Sequence, residues 1–316
     1  MQMRYSLRQL QYFIAAAETG SIKLASEYIN ISQPSISTAI SHLERELGVQ
    51  LFLRHHAQGL SLTSIGETIL REAKAVITQA DAIYNLASDL TEEVRGKLSV
   101  GCMITLAPII MPQLLSEFTQ KHPNTMLRPI EGNQRSLIEG LRSAEIDAAI
   151  TYDAVRLDPA AMAMPGEIEF IPLASLPPYV LLPVNHPLAT RISLTLADVR
   201  NEPMILLDLP FSSDAMLQLF ENDGYEPKVS ITTPNIEMLR SLVGNGYGFA
   251  ILHVQPKCDI SLDGKQLVRV PLAGNYRRPT IGLAFLSQIR KTKLLQEFAS
   301  HCIARITDDH IPGMTL

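Results

Sequence analysis

Apolar residues along the first ninety positions recur at helical spacing, with short breaks between the runs. Leu7, Leu10, Phe13 and Ala17 lie three or four residues apart and predict a helix that stops at Thr19-Gly20-Ser21. Ile22, Ala25, Ile29 and Ile31 supply the stripe of a second helix, and Ile36, Ile40, Leu43 and Leu47 that of a third. The free face of the third helix begins with Ser32, Gln33, Pro34, Ser35 and Ser37, short polar groups at a helix N-terminus. A hairpin is predicted next, closing at Leu62-Thr63.

After Thr63 the rhythm changes. Ile69, Ala73, Val76, Ala80, Ile83, Ala87 and Leu90 alternate four- and three-residue steps, which is a coiled-coil seam. Such a seam calls for a partner, either a second copy or another part of the same chain. Gly66, near the start of this long helix, costs about 1 kcal/mol against alanine and points to close packing at the hairpin.

From Gly96 onward, strand and helix patterns alternate. Strands are predicted at 97–102, 125–130, 147–151, 170–173, 179–182, 204–207, 228–231, 249–252, 267–270 and 280–286. Helices are predicted at 112–120, 134–142, 213–222, 235–243 and 291–305. The alternation implies parallel strands covered by helices, arranged as two small α/β lobes.

Composition narrows the class. Hydrophobic content of 46% with 19% charge describes a globular protein, and no apolar run long enough to span a bilayer occurs. The polar start, Met1–Leu10, gives no reason to expect a secretory signal, so the cytoplasm is the expected compartment. Cys102, Cys258 and Cys302 are far apart, without CxxC spacing, so neither a metal site nor a disulfide framework is expected. The eight histidines are scattered and no nucleophile elbow occurs, so no cofactor chemistry or catalysis is expected.

Two short helices joined by a tight turn and followed by a hairpin form a winged helix-turn-helix, which presents its second helix to a DNA major groove. N–H donors at that helix start also suit a phosphate. An ordinary helical hairpin explains the apolar stripe but not the polar cluster or the wing. Residues 1–90 carry seven Lys/Arg against eight Asp/Glu, a net −1, although phosphate binding ordinarily favours a basic surface. Base reading must then lean on hydroxyl, amide and backbone donors. His42, His55 and His56 are candidate cations that appear as pH falls.

Thr19-Gly20-Ser21, Ala25, Ser32-Gln33-Pro34, Ser37, Leu43-Glu44, Leu47-Gly48, Leu51-Phe52, Arg54 and the Leu62-Thr63-x-x-Gly66 end resemble the LysR-type transcriptional regulators over about sixty residues. The resemblance implies a multidomain chain. Its parts are a winged helix-turn-helix (all-α with a small β wing) over 1–63, a linker and dimerisation helix over 64–95, and a regulatory domain over 96–316. That domain is similar to periplasmic binding proteins, with lobe one at 96–152 and 267–316 and lobe two at 153–266. The implied function is sequence-specific transcriptional regulation under control of a small-molecule effector bound between the lobes. The implied partners are double-stranded promoter DNA, the effector, a second copy in a homodimer or homotetramer, and RNA polymerase. The family usually carries Arg, Lys or Gln where this chain has Thr38, Ala39 and Ser41, and its peroxide sensors carry a cysteine pair where only Cys258 stands here.

Candidate site residues follow. Ser32, Gln33, Pro34, Ser35 and Ser37 would face the groove, with Arg54 on a phosphate. Ligands of open α/β sheets bind beyond the carboxyl ends of strands, where Thr105, Asn133, Ser212 and Ser213 supply donors and Tyr152 sits at the expected crossover. All except Tyr152 are also natural helix caps. Neutral donors beside Met103, Leu106, Leu209 and Phe211 favour a small, partly apolar carboxylate over a polyanion.

Overall fold

A computed structural model describes residues 4–55, 59–88, 93–153, 167–210, 212–288 and 291–315, without the side chains of 54, 55 and 81–88. Two compact units emerge: one running up to Glu93, the other from Val94 onward apart from the turn Arg142–Glu145.

The first unit holds helices α1 (Leu7–Thr19), α2 (Ile22–Ile29) and α3 (Gln33–Leu47), strands β1 (Phe52–His55) and β2 (Gly59–Leu62), and helix α4 (Ser64–Ser88). Ser6, Ser21 and Ser32 each cap a helix, and Gly20, Asn30 and Gly48 end those helices in the left-handed conformation. Leu10, Phe13, Ala25, Ile36, Ile40, Leu43 and Phe52 form one core. The short motifs have local causes. Glu44 Oε1 accepts from the backbone N–H of Leu51 at 2.8 Å and fixes the entry to the wing. Thr63 donates to the Gln50 carbonyl at 2.7 Å and accepts from the Gly66 N–H at 2.9 Å. A Cβ on Gly66 would collide with the Leu51 carbonyl oxygen.

The seam along α4 divides. Ala73 is buried in the core of its own unit, with Ile69 packed against that core. Lys74 pairs with Glu18 of α1 at 2.9 Å. Ile69 and Ala73 are therefore spent within the chain, while Val76 is 39% exposed. The side chains of Ile83, Ala87 and Leu90 lie outside the described residues.

The second unit has two lobes. Chain order is β3 (Gly96–Met103), α5 (Ala107–Lys121), β4 (Thr125–Gly132), α6 (Gln134–Arg142), β5 (Ala148–Tyr152), β6 (Ile168–Ser175), β7 (Tyr179–Pro183), α7 (Leu196–Val199), β8 (Pro203–Leu207), α8 (Ser212–Asn222), β9 (Lys228–Thr233), α9 (Ile236–Gly244), β10 (Ala250–Leu252), β11 (Leu267–Pro271), β12 (Thr280–Leu286) and α10 (Lys293–Arg305). The first lobe's sheet runs β4-β3-β5-β12-β6. In the second lobe β7 pairs with β10 and β11, and β8 with β9. Ile205 N–H to the Phe249 carbonyl, at 2.8 Å, joins these two pieces.

Two strands exchange places against the expected lobe boundaries. The strand near 170–173, expected in lobe two, is β6, paired with β12 from Ile168↔Leu286 to Thr280↔Ser175. Its Phe170 ring packs where a Cβ on Gly282 would stand. The strand near 267–270, expected in lobe one, is β11, paired with β7, and buries Val270 and Leu272 in the second lobe's core. The lobes are therefore joined at 176–178, near 253–258 and at 273–279. Sequence reading also missed the middle junction: Val254 belongs to the first lobe's core, and the backbone N–H of Lys257 donates to the Gly313 carbonyl at 3.1 Å.

Candidate functional site

The N-terminal turn of α3 is polar and outward. Ile36, Ile40 and Leu43 are buried, while Ser32, Gln33, Pro34 and Ser35 are exposed and Ser37 is half-buried. Ser32 is committed to capping: its hydroxyl accepts from the Ser35 N–H at 3.4 Å and lies 2.8 Å from the Ser35 hydroxyl. The Gln33 side chain makes no hydrogen bond among the described residues, so its amide offers both a donor and an acceptor to whatever meets this face. His42 Nδ1 accepts from the Gln9 side-chain amide at 3.0 Å, which ties its ring to α1. The side chains of Arg54, His55 and His56 lie outside the described residues.

Between the lobes of the second unit is a cavity of about 350 Å³. Met103, Thr105, Gln134 and Tyr152 line it from the first lobe, Leu206, Leu209, Ser212 and Met216 from the second, and His253, Tyr276 and Arg277 from the joining segments. Thr105 is buried but does not cap α5, whose N-cap is Leu106 without a side-chain bond. Its Oγ1 has no hydrogen-bond partner. The Tyr152 phenol lies beside it; burial pushes the phenol pKa up, and Thr105 pulls it partly back.

Two expected donors fall elsewhere. Asn133 is not in the lining, because its Oδ1 accepts from the Ser136 N–H at 3.0 Å and caps α6. The next residue, Gln134, is buried in the cavity wall instead. Ser213 is also absent from the lining: its hydroxyl donates to the Leu209 carbonyl at 3.3 Å, across the first turn of α8. Leu106 belongs to the first lobe's core, and Phe211 lies outside the described residues.

Sequence reading missed the charged and titratable part of this wall. Arg277 pairs with Asp153 at 2.9 Å, and Asp153 also accepts from the Thr280 N–H at 3.2 Å. The Tyr276 hydroxyl donates to Asp223 at 2.8 Å; burial, then this carboxylate, push its pKa up to about 12. Burial lowers the His253 pKa to about 4, against the opposing pull of the Leu176 carbonyl. One cation and two carboxylates therefore face the cavity, each already paired. The polar run 273–279 was visible as a loop, but nothing local showed that it borders a cleft. Among the described residues no cluster of His, Cys, Asp or Glu could hold a metal ion, and no helix is long and apolar enough to cross a membrane.

A winged helix-turn-helix joined to a two-lobed α/β unit with a small cleft defines a ligand-responsive DNA-binding protein. Residues 7–67 match the bacterial regulatory helix-turn-helix family of the lysR type, and residues 91–306 match the LysR substrate binding domain. The chain belongs to the LysR family of transcriptional regulators, which are not enzymes. It is 34% identical over 247 residues to the uncharacterized HTH-type transcriptional regulator YvbU of Bacillus subtilis, covering 78% of this chain and 81% of that one. To the Hca operon transcriptional activator HcaR of Escherichia coli it is 29% identical over 281 residues, covering 88% and 90%. Its structure is similar to that of HinK, a LysR family regulator from Pseudomonas aeruginosa, with 34% identity, a TM-score of 0.63, and coverage of 96% and 99%.

Proposed function

We propose that this regulator senses a small, partly apolar molecule carrying no more than one negative charge, such as a monocarboxylate, in the cleft between its lobes. The observation that carries the reading is Thr105. Its hydroxyl is buried at the cavity, caps no helix and makes no hydrogen bond of full geometry, with only the Tyr152 phenol close beside it, so the pair is placed to share a polar atom of a ligand. The apolar wall of Met103, Leu206, Leu209 and Met216 suits a hydrocarbon body. Arg277 is the cationic group in the lining and is already paired with Asp153, so a polyanion finds no free countercharge. Lobe closure on the ligand would then alter how the paired DNA-binding units meet their site. A thermal-shift panel of mono- and dicarboxylates tests this reading. Monocarboxylates should stabilise the chain, and Thr105→Val should weaken their binding about tenfold, the equivalent of a lost hydrogen bond. Dicarboxylates binding more tightly, or full binding to Thr105→Val, would remove the cleft assignment.

The operator is read through Gln33, with Ser35 and Ser37 beside it and Arg54 on phosphate. The chain acts in the cytoplasm, where RNA polymerase is the further partner of a promoter-bound regulator. It dimerises through the outward side of α4, on which Val76 is an exposed apolar group of the seam. Val76→Asp places a charge in that contact and should abolish dimers in light scattering; a dimeric variant would refute the seam.

A further inference from the structure

A short chain of hydrogen bonds ties the first turn of α1 to the middle of α3. Gln9 Oε1 accepts from the Ser6 N–H at 2.7 Å, as part of the box that caps α1. That N–H must meet an oxygen, so the Gln9 nitrogen is the atom that faces His42 Nδ1 at 3.0 Å. An amide nitrogen only donates, so Nδ1 accepts and the neutral ring carries its proton on Nε2. His42 Nε2 makes no bond among the described residues and is not enclosed, so its N–H is a donor of fixed direction presented at the surface. Ser35, Thr38, His42 and Arg45 follow one another at three- and four-residue steps along one outer stripe of α3. Thr38 and Arg45 are exposed, and neither side chain has a partner among the described residues. Glu44, on the other flank, is turned into the wing by the Leu51 N–H, and Glu46 makes no ion pair with the His42 ring. Gln33 and His42 are nine residues apart, about 14 Å along the helix axis. The major groove is about 12 Å wide. With the first turn of α3 on base edges, His42 therefore stands where the helix leaves the groove and meets the sugar-phosphate backbone.

We propose that His42 anchors the DNA backbone, donating its Nε2–H to a phosphate oxygen as a neutral group while Gln9 holds the tautomer. This inference rests on α3 being the helix laid in the groove. Composition alone offered His42 as a cation; the bond from Gln9 makes it a donor that needs no charge. A DNA-binding half with a net charge of −1 gains from it a phosphate contact independent of cations. Such a contact fixes register and orientation and carries no sequence information.

Two substitutions separate the two ring nitrogens. In His42→Asn the amide stands near Nδ1 and keeps the link to Gln9, but no donor reaches the place of Nε2. In His42→Gln the longer amide puts a nitrogen near Nε2 and gives up the link. The measurement is fluorescence anisotropy of the full-length chain at about pH 8, where a free imidazole is neutral. Its probes are a duplex enriched by the wild type from a random-sequence pool and single-base variants of that duplex. His42→Asn should weaken binding roughly tenfold on every duplex, the weight of one hydrogen bond to a charged group. The salt dependence should not change, because no cation has been removed. His42→Gln should recover most of the affinity, although its chemical denaturation midpoint falls. A residue that only ties α1 to α3 gives the reverse order, with His42→Asn binding like the wild type and His42→Gln more weakly, and that order overturns the proposal. A loss that differs among the duplexes marks a base reader, and a flatter salt dependence marks a cation; either overturns it as well. Unchanged binding in His42→Asn beside a loss in Gln33→Ala removes His42 and leaves α3 standing. Unchanged binding in both removes the reading of α3 and this inference with it.

Discussion

The outward turn of α3 comes from six consecutive positions, Ser32 to Ser37, whereas the cavity draws its lining from strand ends, helix α8 and lobe junctions between Met103 and Pro279. The first surface is organised by its own backbone: Ser32 caps the helix, Ile36 anchors the inner face, and Gln33 is left outward. The second exists only because two sheets bring distant segments together. A locally organised surface tolerates change elsewhere provided its helix stays docked. An assembled one answers to every segment that shapes its wall.

The largest expected effect tests whether the two are separable. Phe13 is fully buried and meets Phe52 edge-on at 5.5 Å between ring centres. Phe13→Ala should cost about 3–5 kcal/mol in the first unit, visible in chemical denaturation and as lost DNA binding. Ligand affinity in the cleft should survive; if it falls in step with DNA binding, the contrast between the surfaces is wrong.

A smaller effect sharpens the contrast within the DNA-binding unit. Gln33→Ala should cost about 1–3 kcal/mol at one base position and relax specificity there. Arg54→Ala should weaken all sequences alike and flatten the salt dependence by about one charge. Identical, sequence-independent losses in binding assays on altered operators would erase this division of labour.

The smallest effect concerns pH. Folding holds the His253 pKa at about 4, below its ordinary 6.5, so the folded chain binds fewer protons than the unfolded one between these values. Stability should be level above pH 6.5 and decline as pH falls toward 4, with half-buried His122 and His301 adding the same sign. Melting temperatures between pH 7 and 4.5 should fall less steeply for His253→Leu than for the wild type. Equal slopes would mean that His253 is not held neutral by burial.

Sequence alone was sufficient wherever the cause was local. The stripe Ile36, Ile40, Leu43 and the capping serine settled α3; Leu62-Thr63-x-x-Gly66 settled the join of wing and long helix. In the second unit the spacing of apolar runs marked most strands and helices, because periodicity is a property of the segment itself. Sheet membership is not such a property. Only the tertiary structure assigned β6 to the first lobe and β11 to the second, since an apolar strand pairs with whichever edge the rest of the fold leaves open. The same limit governed the cleft. Asn133 and Gln134 both look like helix-start residues, and the first caps while the second turns into the cavity. Arg277 and His253 carry no local signature at all. Their place in the wall is decided by where the chain crosses between lobes, and that follows from the packing of whole sheets.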